Sequence, residues 1–537
     1  MKEQRKIAVW GAGKRGLLLA HSNMRIDFFI DNDIEKKGKT VLGREILHPS
    51  DISNWDDIYI YISLIRTYAE AVCKQLEEYG LEAGKDFEIW NDFAMYSLDK
   101  CVRDYEEKVA DMEQNLNLNE NIDKKILYWG AMNHLDTIYT SHFLEVLQEN
   151  DKCEVISLMQ REIAPPFFLS TKLYVDGVEK GISKRGDFVE KEFISQIAEQ
   201  MEADVQLYDI DSFFVKAYYT YQYVLRVVEK VQPVLIICND SVNPVHRIVR
   251  KIAEIKQIPI IFMHQGVLPG TISFDIEGEV GESLLALYSE KFCKMEITVG
   301  EKERAKEVID FLKHSKLNRK EQPKSNMEEI RARLDVTKKT VFYCGQNDPR
   351  SYMVPYTEET RRYYSPVFKS TFDGLCYVAE LCEKNGWNLL YKPHPMYVVG
   401  AELERLPKNV IFVEKADIND IIDISDAMVT ILSSTNYISM IREKPVVMLG
   451  YNWTMNNGCT YEAYSKEEIE RCIQQALTEG YSIEQKDAFL SHVARCLKYY
   501  VYDDMKTREL RYGKKMPEKI DDFFELKHLL ACEKENK

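Results

Sequence analysis

The sequence predicts an α/β protein built on parallel sheets. Apolar runs of strand character alternate with helical patterns nearly throughout, from "KIAVWGAG" at the start to "KPVVMLG" at residues 444–450. A length of 537 residues suggests about three domains, and 45% hydrophobic residues allow sizeable cores. Polar and glycine-bearing clusters follow several of the strands directly, and open parallel sheets bind ligands beyond the carboxyl ends of their strands.

Taken in order, "KIAVWGAG", "IDFFIDND" and "DDIYIYIS" close near "DFEIWNDF", giving a domain over residues 1–96. Residues 97–123 read as a linker helix, because Leu98, Val102, Tyr105, Val109, Met112 and Leu116 recur at steps of three and four. That narrow seam either packs on its own domain or pairs with a second copy as a short coiled coil, giving a homodimer. A second set of strands spans 124–320: "KKILYWGA", "CEVISLM", "DVQLYDI", "PVLIICND", "IPIIFMHQG" and "MEITVG". Residues 313–329 are almost devoid of apolar side chains and mark a linker. A third set spans 335–500: "KTVFYCGQ", "WNLLYKPHP", "NVIFVE", "DAMVTILSS" and "KPVVMLG". Residues 501–537 read as a helical tail, and a helix over 366–385 is expected to start at Ser365-Pro366.

A net charge of -16 argues against a nucleic-acid binder. The twelve cysteines include no CxxC pair and no Cys/His cluster, so they read as reduced core thiols and no metal site is expected. The N-terminus runs straight into a strand, unlike a signal peptide, and no apolar run reaches the ~18 residues of a spanning helix. A cytoplasmic protein is expected, one that could still touch the inner face of a membrane.

Five clusters carry candidate chemistry. "GAGKRG" places Gly11, Gly13 and Gly16 between a strand and a helix, with Asp31 closing the next strand where a ribose partner would sit. This is either a nucleotide-type loop or a docking domain that binds nothing. In "YKPHP", two prolines stiffen a strand end and aim Lys392 and His394 outward, prepared for a phosphate or merely ending the strand. In "ILSSTNY", Ser433, Ser434 and Thr435 open a helix, as phosphate ligands or as a plain cap. Gln346 and Asp348 of "GQND" follow the first strand of the third domain and would join the same rim. On the other side, His264 ends a strand before a Gly/Pro loop. It is a candidate general base, with Asp275 and Glu277 as rivals and a structural histidine as the alternative.

Residues 340–480, through "GQND", "YKPHP", "DAMVTILSST", "KPVVMLG" and "NNGCT", resemble the capsule polysaccharide biosynthesis proteins, which include Kdo-transferase-like glycosyltransferases of the two-domain GT-B type. "HP" and "SS/ST" are also similar to motifs of bacterial sialyltransferases and teichoic-acid polymerases. "FIDNDIEKKGKTVLGREILHPSDI" resembles a small Rossmann-like domain that precedes some sugar-modifying enzymes. The resemblance implies an N-terminal Rossmann-like domain followed by a GT-B pair with a cleft between its halves. It further implies metal-independent transfer from a CMP-, CDP- or UDP-linked nucleotide-sugar to a glycan or lipid-linked glycan. No separate cofactor is then required. A CDP-polyol phosphotransferase and a non-catalytic glycan-assembly protein stay open beside it. One departure stands out: family members often carry a ribose-binding glutamate where this chain has Ser439.

Overall fold

The computed structural model of the chain describes residues 5–13, 16, 25–41, 43–64, 66–89, 98–130, 144–159, 191–205, 210–318, 323–348, 353–354, 356–394, 405–413, 415–503 and 512–532. They fall into two compact units. One takes in the first sheet, the chain to Lys108, helix Lys191–Val205 and the following helix as far as Tyr219; the other holds the two remaining sheets.

The first sheet contains β1 (Lys6–Trp10), β2 (Phe28–Ile30), β3 (Thr40–Val41), β4 (Arg44–Leu47), β5 (Ile58–Ile62) and β6 (Phe87–Ile89), in the order β3-β4-β2-β1-β5-β6. All pairs are parallel except the β3–β4 hairpin. The second sheet contains β7 (Lys125–Gly130), β8 (Glu154–Met159), β9 (Leu235–Cys238), β10 (Ile260–Gln265) and β11 (Thr271–Asp275). The third contains β12 (Thr340–Cys344), β13 (Asn388–Lys392), β14 (Val410–Phe412), β15 (Ala427–Thr430), β16 (Val446–Met448) and β17 (Tyr461–Glu462), parallel throughout in the order β14-β13-β12-β15-β16-β17. The expected α/β class with parallel-dominated sheets is borne out.

Parallel strands covered by helices on both faces bury every side chain. β12, β13 and β15 do so at all positions. Their alternate residues feed two separate cores: Phe342, Leu390 and Met428 enter one, and Val341, Leu389 and Val429 enter the other.

Several local expectations are corrected. "MEITVG" is no strand: Thr298 and Glu301 form a capping box that opens helix Val299–Ser315 instead. The helix expected from 366 begins at Thr371 with Ser370 as its cap, because Ser365 spends its Oγ on Leu449 O at 2.6 Å and on two amides of its own turn. Of "DVQLYDI", residues 206–209 lie outside the described residues, and the part before them ends helix Lys191–Val205. The loop expected after His264 contains β11, antiparallel to β10.

The tail read as helical starts with a strand, β18 (Val501–Asp503). It leaves the helices of the third sheet and pairs antiparallel with β11, completing the second sheet in the order β18-β11-β10-β9-β7-β8. The linker helix forms over Leu98–Asn115. Its Val109 and Met112 are buried within the chain, beside Lys230 and Arg226 of helix Ile210–Val231, which bind Met112 O and the Glu113 carboxylate. These two positions of the seam thus pack on the chain itself. No helix among the described residues is long and apolar enough to cross a membrane.

Closure by β18 is testable. Tyr502 is buried edge-on against Phe274 at 5.2 Å, and Phe274 meets Phe523 at 5.0 Å. Tyr502→Ala is expected to cost about 3–5 kcal/mol in urea denaturation. A cost below ~1 kcal/mol would mean that β18 contributes little to the second sheet.

Candidate active site

The third sheet reverses its strand order at β12: the chain proceeds outward to β13 and β14 on one side, then to β15, β16 and β17 on the other. Such a reversal leaves a crevice beyond the carboxyl ends of the central strands. A cavity of about 260 Å³ lies there, lined by Cys344 and Gly345 after β12, Lys392, Pro393 and His394 after β13, and Ser433, Ser434 and Thr435 after β15. Two of the sequence clusters thus converge, beside the backbone that leaves β12. Pro395 and Arg350, from the same stretches, lie outside the described residues.

Lys392 is 4% exposed, yet among the described residues its ammonium has no hydrogen-bond or ion-pair partner. Burial holds its pKa below the usual lysine range. The strand end is pinned by Gly345, whose N–H donates to Lys392 O at 2.9 Å. A Cβ on Gly345 would lie 2.9 Å from the Tyr391 ring and 3.1 Å from Pro393 Cα, so a side chain there would push the lysine turn away.

The serine ledge is fixed just as firmly. Thr430 Oγ1 donates to Cys344 O at 3.2 Å, and Ser433 N donates to Thr430 Oγ1 at 3.4 Å. Ser433 Oγ accepts from Thr435 N and donates to Thr435 Oγ1, at 3.3 and 3.1 Å. Ser434 occupies the cap position of helix Thr435–Ile441 without a side-chain capping bond, so the plain-cap reading does not describe it. The helix has seven residues and its dipole is correspondingly small. Ser439, where the family's glutamate would stand, is fully buried, donates to Lys444 O at 3.5 Å and does not line the cavity.

Gln346 and Asp348 do not line the cavity. Gln346 Oε1 accepts from Leu432 N at 2.7 Å, tying the β12 end to the β15 end. Asp348 is buried and accepts from Thr371 N, Thr371 Oγ1 and Tyr364 OH at 2.6, 2.8 and 3.0 Å. The expectation of phosphate contact is corrected for both: their polar atoms serve the loop that shapes the site.

The opposite wall comes from the end of β10 and the turn after it, through Gln265, Val267 and Pro269. His264 itself is 7% exposed and turned inward. Its Nδ1 lies 3.0 Å from Gln265 O, and its Nε2 lies 3.4 Å from Tyr500 OH. Tyr500 in turn donates to Asp275 Oδ2 at 2.9 Å. Asp275 is fully buried and also accepts from the amides of Glu277, Gly278 and Leu284. Glu277 pairs with Lys527 at 3.2 Å. None of the three candidate bases reaches the cavity: Asp275 is saturated, Glu277 is paired, and both ring nitrogens of His264 face partners. Sequence reasoning passed over Gln265, Cys344 and Gly345; a glycine directly after an apolar strand was the one signal present.

In the other unit, Gly11 takes φ +113°, and a Cβ on Gly16 would fall 1.9 Å from Gly11 O, so two of the three glycines serve tight strand-to-helix packing. Gly13 is exposed in open space. Asp31 does not wait for a ribose: its Oδ2 accepts from Ala12 N and from Lys36 Nζ, both at 2.9 Å. The loop's Ala12 amide and the acidic residue thus satisfy each other, which favours the docking reading.

Residues 320–478, which hold the charged wall of the cavity, match the family model described as CDP-Glycerol:Poly(glycerophosphate) glycerophosphotransferase. Residues 3–86 match C2185-like, N-terminal. No curated protein matches the chain. Among solved structures, the Thermosulfurimonas dismutans KpsC beta Kdo 2,7 transferase is similar at 15% identity over 68% of this chain and 90% of its own, with a TM-score of 0.34. The Neisseria meningitidis UDP-GlcNAc 2-epimerase is similar at 10% identity over 76% and 100%, with a TM-score of 0.30. The glycosyltransferase SnogD from Streptomyces nogalater is similar at 11% over 69% and 94%, with a TM-score of 0.27. Likenesses this distant carry no weight for activity. The transferase class expected from the sequence is borne out by the glycerophosphotransferase model over its segment.

Burial pushes the Asp348 carboxyl up to about 6. Between the ordinary value of 3.8 and about 6, the folded chain holds a proton that the unfolded chain has released. The contribution of this group to stability therefore falls as pH rises through that window and is flat above it. Asp348→Asn should accordingly destabilise more at pH 4 than at pH 7, by up to ~3 kcal/mol in urea denaturation. Equal costs at both pH values would mean that the carboxyl does not titrate there.

Proposed function

We propose that the chain is a nucleotide-dependent transferase of the GT-B type whose donor phosphates bind in the cavity beyond β12, β13 and β15. The observation that carries this reading is Lys392, a buried cation without an anionic partner among the described residues, aimed into a cavity with Ser433 and Thr435 on its rim. Removing an ammonium from water is costly unless an anion compensates it. A diphosphate supplies that anion, and His394 and Ser434 extend the same rim. Among the described residues the lining offers a cation and hydroxyls and no carboxylate, which suits direct stabilisation of a phosphate by side chains. The transferred unit is a sugar, moved onto a bacterial surface polysaccharide or a lipid-linked glycan at the inner face of the membrane.

A second reading, a CDP-polyol phosphotransferase of teichoic-acid type, is favoured by the family model over residues 320–478. Both readings use the same cavity: sugar transfer breaks the bond between the anomeric carbon and the phosphate oxygen and releases the nucleotide, whereas polyol-phosphate transfer breaks the pyrophosphate P–O bond and releases CMP. The N-terminal domain is read as a docking module, so removal of residues 1–96 should leave nucleotide affinity in place.

Lys392→Met tests the donor site with two opposite signs. Replacing the buried cation by an apolar side chain of similar length should raise the stability of the ligand-free protein. Loss of a charge-assisted bond should weaken CDP or UDP binding ten- to a hundredfold, equal to about 1.5–3 kcal/mol. Calorimetry with CDP, UDP and CMP measures the second effect, and unchanged affinity for all three would remove the phosphate assignment.

A further inference from the structure

The two walls of the cavity differ in chemistry. The third sheet contributes a cation and hydroxyls; the second sheet contributes Gln265, Val267 and Pro269, of which Gln265 alone is polar. Gln265 is exposed between buried His264 and buried Gly266. Its carboxamide has no protein partner among the described residues. The backbone beneath it is held on every side. Gln265 is in register with Ile272, and Gly266 N donates to Thr271 O at 2.8 Å. The His264 ring, 3.0 Å from Gln265 O, stacks on Trp453 at 6.2 Å and abuts Tyr500, which Asp275 anchors.

We infer that Gln265 contacts the group being transferred, that this group is polyhydroxylated, and that His264 is the positioning residue which fixes Gln265. This rests on the donor-site reading above. With the phosphates held against Lys392, the transferred group lies between them and the acceptor, and so against the opposite wall. A carboxamide both donates and accepts, which matches adjacent hydroxyls of a glycosyl or polyol unit. A carboxylate at the same place would repel the phosphates, and a second cation would compete with Lys392 for them. The buried chain from Asp275 through Tyr500 to His264 ends on the carbonyl of Gln265, so its output is the placement of that residue.

Calorimetry on the full chain separates the possibilities, with CDP as the bare nucleotide and CDP-glycerol and UDP-glucose as linked probes. Gln265→Ala should keep CDP affinity within about twofold and lose about three- to tenfold for the linked probe that the wild type binds, the size of one neutral hydrogen bond. His264→Asn places an amide nitrogen close to the position of Nδ1 and should keep that affinity, whereas His264→Ala should lose it as Gln265→Ala does. A wild-type chain that binds no nucleotide at all would overturn the donor-site reading. Normal nucleotide binding with equal loss of CDP and linked probe in Gln265→Ala, or with no loss in either, would overturn the Gln265 assignment alone. Unchanged linked-probe affinity in His264→Ala would overturn the positioning role.

Discussion

β12 pairs in parallel with β13 on one side and β15 on the other, and the site depends on that double pairing. A strand that is central in a parallel sheet can be left in either direction only by a crossover that returns to the same end. The chain takes one direction for β13 and β14, then the other for β15, β16 and β17. The residues following β12, β13 and β15 are therefore delivered to one edge, although 48 to 89 positions separate Gly345 from Pro393, Ser433 and Ser434 along the chain. Clamps then hold that edge: Gly345 to Lys392, Thr430 to Cys344, and Gln346 to Leu432.

Asp348, Asp275 and Lys392 are three of the ionisable groups buried in this unit, and their surroundings separate their roles. Asp348 and Asp275 each accept several donors from nearby loops, and their bonds knit strand ends to the following helices. Burial nevertheless pushes both up to about 6, so each carboxylate costs the fold something at neutral pH. Lys392 carries a similar cost without such bonds. A charge without such bonds among the described residues needs a different reason to be buried, and the proposed anionic ligand would supply one.

The return of the chain through β18 matters for the other wall. Helix Ile483–Arg495 runs into a π-helical turn, Cys496–Tyr500, before β18 begins. That turn inserts Tyr500 between Asp275 and His264. A π-helical turn is uncommon and is found most often where side-chain direction matters. Here it turns an isolated strand-end histidine into the last link of a buried chain.

The sequence by itself determined the α/β class, four of the six strands of the first sheet, five of the six of the third, and the candidacy of Lys392, His394 and Ser433. Those features rest on local pattern: apolar runs, prolines at a strand end, and serines before a helix. Tertiary structure decided the rest. "GQND" and "FDIEG" read as reactive loops because polar residues after strands suit either chemistry or anchoring. Only the placement of Thr371, Tyr364 and Tyr500 shows Asp348 and Asp275 to be anchors. β18 was illegible because it follows the π-helical turn Cys496–Tyr500 directly, with no turn residue to mark its start, and only its pairing partner β11 makes it a strand. His264 and Gln265 are neighbours on a strand and so face opposite ways. The pattern marked a titratable residue at the strand end, but the orientation of the pleat, set by packing against Trp453 and Tyr500, decided which of the two meets the cavity.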